Sequence, residues 1–331
     1  EATGSTEFSK NLNVSFEFEE YNPYKIYEQQ APWGTTYEFV DVGQYPQDYV
    51  GDEMNQTLKR WFTSANPSSV DSYTVYNPVN DAELDPDKYI TYHAYTYTDG
   101  KTYVRVPVTN VYGSGSITYS NGETVKDNVE AWFEVQPIKW RILTKKYDGK
   151  NISYLMSEQL LASSCFYINS ASQANDYAKE DNYLRDYLTN KFYQDAFSST
   201  DKSKIVGRNL TESDLYPLKH SESTEVPLSD QKVFAPTYDD MNNADEYGFT
   251  ANNTRLKSPT DFAIANYVNT YISASYQTID RVNGGTGSYF LCSSGSSASN
   301  AFIVNYYGNV YGDDPVNITF AGVCPALLFN L

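Results

Sequence analysis

Two Asp-Gly pairs in this chain each stand between runs of alternating apolar and polar residues. YITYHAYTYTDGKTYVRVPV (89–108) carries Asp99-Gly100, and WFEVQPIKWRILTKKYDGKNISYLMS (132–157) carries Asp148-Gly149. Asp-Gly tolerates the left-handed backbone of a tight turn, and a period of two sends successive side chains to opposite faces of a sheet. Both segments therefore read as antiparallel strand pairs, and any fold for the chain has to accommodate them.

Other segments are consistent with that start. NVSFEFEE (13–20) reads as a weak strand in an extended lead-in that reaches Thr36, and EFVDVGQYPQ (38–47) as a strand running into a turn at Tyr45-Pro46. MNQTLKRWF has the apolar spacing of a short helix. Leu184, Tyr187, Leu188 and Phe192 recur at three- and four-residue steps and share one helical face. TDKSKIVG follows with a cap expected at Thr200. APTYDDMNNADEYG and SPTDFAIANYV read as short helices, the latter with Pro259 in its first turn. SYFLCSS, NAFIVNYYGNVYG and GVCPALLFNL return to strands, with Gly308-Asn309 at a hairpin turn. The expected fold class is α+β, with antiparallel hairpins and a few short helices. Residues 1–36 form the lead-in and 37–331 one domain. Trp132, Ile138, Trp140, Ile142, Leu155, Leu184, Leu188, Ala326 and Leu328 are the expected core.

Composition narrows the function. With 331 residues, 40% of them hydrophobic, the chain can bury a substantial core. A net charge of −18 disfavours nucleic acid and anionic membrane surfaces as partners. No stretch approaches the ~20 apolar residues of a membrane span. EATGSTEFSK does not read as a signal peptide, so the chain is expected to be a mature or trimmed form. The 32 tyrosines, with many Asn, Ser and Thr, suit either a recognition surface or a β-rich fold.

Motifs of catalysis are sparse. His93 and His220 are the only histidines, too few for a three-histidine metal site, and each is expected at the surface or in a structural role. G-x-S-x-G, the Walker loop and the dinucleotide fingerprint are missing, and GGTG (284–287) reads as a turn before a strand. No metal or cofactor is expected, although NDAELDPDKY (80–89) and GDDPVN (312–317) carry the oxygen donors that calcium takes.

VGQYPQ (42–47), QPIKWRIL (136–143), YLMSEQLL (154–161), NYLRDYLTNKFYQDAF (182–197), KVFAPTYDDM (232–241) and the closing YFLCSSG…GVCPALLFNL together carry a resemblance. In this order they resemble a bacterial extracellular family of uncharacterised function, whose members usually end in W-L-R-S-P-G and G-V-R-P-A-L-W-L-N-L segments. That family is similar to the C-type-lectin fold in its formylglycine-generating-enzyme-like variety. The resemblance spans about residues 37–331 and implies a rigid frame with an irregular binding face, at the cell surface or outside the cell. It does not imply the oxidase, which needs a close pair of reactive cysteines. Cys292 and Cys324 stand where relatives carry arginine, on strands that the resemblance makes neighbours. A disulfide is the implied arrangement, and two buried free thiols are the alternative. Cys165 is then left as a small buried hydrophobe.

One further feature concerns the last fifty residues. Val282–Leu331 contains no Lys, Arg, Glu, Gln, Met or Trp. Some C-type-lectin-fold proteins are variable targets of diversity-generating retroelements, which randomise template adenines. An Asn codon altered in that way never becomes Lys, Glu, Gln, Met or Trp. Inherited preference for Ser-, Gly-, Tyr- and Asp-rich hairpins is the competing explanation. Under either, the stretch 288–325 is the expected display region. Ser297, Ser299, Asn300, Phe302, Tyr306, Tyr307, Asn309, Tyr311, Asp313, Asp314, Asn317, Thr319 and Phe320 are the candidate contacts for a protein or carbohydrate ligand. An oxidase-type enzyme and a structural stalk or adhesin module are the alternatives.

Overall fold

The computed structural model describes residues 22–77, 88–108, 117–167, 176–218, 227–271 and 285–331. The strand expected at 13–20, His220 and most of the acidic loop 80–89 lie outside them. In chain order the first half supplies β1 (Tyr27–Gln30), β2 (Thr36–Tyr49), α1 (Asp52–Ala65), β3 (Asp71–Tyr76), β4 (Tyr89–Thr96) and β5 (Thr102–Val108), then β6 (Val129–Thr144), β7 (Ser153–Ser157), β8 (Gln159–Leu160) and β9 (Ala162–Ser163). The helix α2 (Tyr183–Asp186) continues through a π-helical stretch, Tyr187–Phe192, into α3 (Tyr193–Ala196). There follow α4 (Ser199–Lys204), β10 (Ile205–Val206), β11 (Arg208–Leu210), α5 (Glu212–Leu215), β12 (Leu228–Gln231), α6 (Tyr238–Asn242) and α7 (Ala244–Tyr247). The chain closes with β13 (Ser258–Pro259), α8 (Asp261–Ala265), β14 (Tyr289–Ser294), β15 (Asn300–Val304), β16 (Val310–Pro315), β17 (Gly322–Val323) and β18 (Ala326–Phe329).

The result is a mixed α+β fold with several antiparallel sheets, short helices and loops. Among the described residues, nine strands form the main sheet and five form a second, ordered β16-β15-β14-β17-β9. Both Asp-Gly hairpins are present, as β4–β5 and β6–β7. The long β6 is the hub, pairing with β2 over Phe133–Arg141, with β5 over Val129–Glu134 and with β7 over Trp140–Thr144. The turn expected at Tyr45-Pro46 does not occur. β2 continues through it, with Tyr45 and Pro46 paired in register to Gln136 and Val135, and irregularities fall between Asp41 and Gln44 and between Pro46 and Tyr49.

All nine residues expected in the core are buried. One hydrophobic cluster extends through both sheets and the helices, and a smaller one, Leu58, Tyr95, Tyr103 and Trp132, lies under α1. Two large polar tips inside are satisfied: the Trp140 indole donates to the Val42 carbonyl, and the Tyr45 and Tyr187 hydroxyls pair, both at 2.8 Å. Two helix starts differ from expectation. Ser198, not Thr200, caps α4 in a reciprocal box with Asp201. Thr260 caps α8, while Pro259 belongs to β13, paired with Leu160. No helix among the described residues is long and apolar enough to cross a membrane.

Candidate functional site

The C-terminal hairpin expected from the sequence is present, with its turn running from Asn305 to Gly308 and Asn309 already paired back to Asn305. β15 and β16 pair antiparallel around residues 305–309, and the Gly308 N–H donates to the Asn305 carbonyl at 2.7 Å. Asn305 closes the turn a second time: its side-chain oxygen accepts from the backbone of Tyr307 and of Asn309 at 3.0 and 3.1 Å. Asn252 reaches across to the Asn309 side chain, so the tip is tied to the body of the protein.

β14 and β15 are covered on both faces, whereas β16, at the edge of its sheet, alternates between half-buried and exposed. Cross-strand pairing aligns Phe290 with Ile303 and Ile303 with Tyr311. Along that row exposure rises from 2% through 4% to 48%, a passage from core to solvent within one line of side chains. The row forms one wall of a cavity of about 250 Å³, closed elsewhere by Tyr306, Asp314, Ile318 and Phe320. Burial, and then the neighbouring Asp313, holds the Asp314 carboxyl above its usual range. Beside the cavity the rings of Tyr271, Tyr306 and Tyr307 gather, with the first and second 4.4 Å apart and the second and third also 4.4 Å apart. An apolar hollow with one carboxylate and several phenols offers shape, ring faces and directed hydrogen bonds to a ligand.

Of the candidate contacts, Ser297, Asn309, Tyr311, Asp313 and Asn317 are exposed, and Ser299, Asn300, Tyr306, Tyr307, Asp314, Thr319 and Phe320 are half-buried. Phe302 is a correction. It is 6% exposed and packs on the Tyr238 ring, at 4.5 Å, because β15 has α6 over the face expected to meet solvent. Tyr306, Tyr311, Asp314 and Phe320 come together in the cavity, while Ser297 and Ser299 belong to the loop that joins β14 to β15 and Asn300 opens β15, paired with Pro315. The sequence reading missed Phe290, Ile303 and Ile318, whose apolar character marks core as readily as a cavity wall. Tyr271 lay beyond the expected region and gave no signal.

The cysteines require a second correction. Cys165, Cys292 and Cys324 are all free and buried. The two strand-borne thiols have different neighbours: Cys292 on β14 faces the charges of Arg208, Asp214 and Asp240, whereas Cys324, just past β17, lies by Lys257, Glu158 and Ser157. The Cys324 thiol lies 3.4 Å from the Ser157 hydroxyl, and Cys165 donates to the Tyr76 hydroxyl at 3.3 Å. Burial pushes the Cys292 thiol well up and that of Cys324 up. Alkylation should therefore label none of the three quickly in the native protein and all three after unfolding without reductant. A mass two units lower, from an oxidised pair, would contradict this.

His93 is exposed on β4. Among the described residues, no group of three or more His, Cys, Asp or Glu is placed to hold a metal ion. No protein-family model, no curated protein and no solved structure matches the chain.

Proposed function

We propose that this chain is an extracellular or cell-surface binding protein. Its C-terminal hairpin face grasps a protein or glycan by shape, ring contact and hydrogen bonding, on a scaffold of C-type-lectin-like kind. The observation that carries this reading is the row Phe290–Ile303–Tyr311, which roots an outward cavity in the core beside a turn pinned at Asn305. Such a surface is organised before a ligand arrives, which lowers the entropy cost of binding. The rival oxidase needs two adjoining reactive thiols, and the burial of Cys292 and Cys324 among different neighbours weighs against it.

The test is a binding array of purified extracellular proteins and glycans. Tyr311→Ala should weaken capture of the hit by about tenfold or more, in the manner of an interfacial hot spot. Its melting temperature should hardly move, because the Tyr311 ring is 48% exposed. Capture that survives both Tyr311→Ala and Tyr306→Ala would refute the assignment.

Retroelement diversification is a separate proposal, motivated by the residue types missing from the last fifty positions. Its outward positions would be the variable ones. Sequencing the DNA downstream should reveal a near-identical template repeat and a reverse transcriptase; without the repeat, diversification fails and the binding role survives.

A further inference from the structure

A second hollow, of about 220 Å³, opens between the β1–β2 hairpin and the segment Glu158–Gln159. We infer that it is a binding site for a neutral carbohydrate residue, separate from the C-terminal face and independent of that face's role. Three features of its lining lead to this class of ligand.

The first is an aromatic platform. Trp33, half-buried in the β1–β2 turn, meets Tyr37 edge-on at 6.3 Å and donates its indole N–H to the Tyr37 hydroxyl at 3.2 Å. The Arg141 guanidinium lies 4.0 Å from the centre of the Tyr37 ring and fixes its plane.

The second is a carboxylate held in place from behind. Glu158 accepts from Arg141 Nε at 2.9 Å and from its terminal nitrogen at 2.8 Å, and from Lys257 Nζ at 2.9 Å. The two cations are 2% and 0% exposed, but a quarter of the Glu158 side chain remains accessible. A carboxylate has about four lone-pair sites, so acceptor capacity is left toward the hollow.

The third is the balance of donors and acceptors. Arg141 and Lys257 are enclosed behind Glu158 and already take up its charge, so a cationic ligand gains little there, while an anion drawn by Lys139 at the rim has to lie against the carboxylate. A sugar hydroxyl suits both demands, donating to Glu158 while accepting from Lys139 or the amides of Gln30 and Gln159. The C–H face of the same ring can lie on Trp33.

The experiment is a titration of the full chain with cellotetraose, maltotetraose, mannotetraose and tetragalacturonate, followed by calorimetry and tryptophan fluorescence. At least one neutral oligosaccharide should bind. Trp33→Ala should weaken it by about tenfold or more, Trp33→Phe should keep much of the affinity, and Tyr311→Ala should leave it unchanged. If Trp33→Ala does not fold, Gln30→Ala at the exposed rim replaces it with the same expected direction. The inference falls if no neutral oligosaccharide binds, if only the acidic one does, or if the rim variants bind as the parent does. A loss equal in Tyr311→Ala would move the sugar to the C-terminal face and also overturn it.

Discussion

Replacing Glu158 by glutamine is expected to destabilise the protein by about 3–5 kcal/mol, the cost of leaving buried charges without their counter-charge. Arg141 and Lys257 are almost wholly enclosed, and Glu158 is the carboxylate between them. Burial works against its ionisation, but the charges and hydrogen bonds of Arg141 and then Lys257 win and hold the carboxyl at about 2. An unfolded glutamate titrates near ~4.3. The folded value is depressed, so the contribution is fully present above the unfolded value and is lost as pH falls through about 2. The difference corresponds to about 3 kcal/mol of pH-dependent stability. Urea melts from pH 7 to pH 2 should show this decline in the parent and a flatter profile in Glu158→Gln. Equal stability of the two proteins at pH 7 would mean that the triad contributes nothing.

Gly308→Ala should cost nearly as much and should also disturb the binding face. Gly308 has φ of 80°, and a Cβ there would collide with the backbone carbonyl of Asn252, which has no flexible side chain to yield. The left-handed backbone costs a residue with a side chain ~1–2 kcal/mol, and overpacking adds ~1–3 kcal/mol. Gly100 is the control: it has φ of 83° and nothing within 4 Å of a new Cβ, so Gly100→Ala should bear only the backbone part. Thermal melts should rank the parent above Gly100→Ala and that variant above Gly308→Ala. Ligand capture should fall in Gly308→Ala alone. Equal losses in the two variants would mean that the tip does not lean on the 252 loop.

These two sites show where the sequence was readable. The hairpins at Asp99-Gly100, Asp148-Gly149 and Gly308-Asn309 were legible because each turn and its alternation lie within one short segment. The core residues were legible because tryptophans, leucines and isoleucines at regular spacing have few other uses. The α4 cap was missed by two residues: Thr200 was expected, whereas Ser198 starts the Ser-x-x-Asp signature that closes on Asp201. Contacts set by distant segments were not readable. Glu158 meets Arg141 from 17 residues away and Lys257 from 99. Phe302 looked outward on alternation alone, and only the placement of Tyr238 covers it. The cysteine pairing failed because Cys292 and Cys324 are buried among different distant residues, Arg208 and Asp240 for the first and Ser157 and Lys257 for the second, which no local pattern encodes.

The central claim is a rigid body that carries a separable grasping face. The most direct measurement exchanges four exposed candidates together, Ser297, Tyr311, Asp313 and Asn317, for alanine, leaves Asn309 to its bond with Asn252, and compares melting and capture. Surface changes of this kind each fall within about ±0.5 kcal/mol, so the variant should melt within a few degrees of the parent while its capture of the array ligand disappears. A collapse of folding, or capture that persists undiminished, would contradict the account.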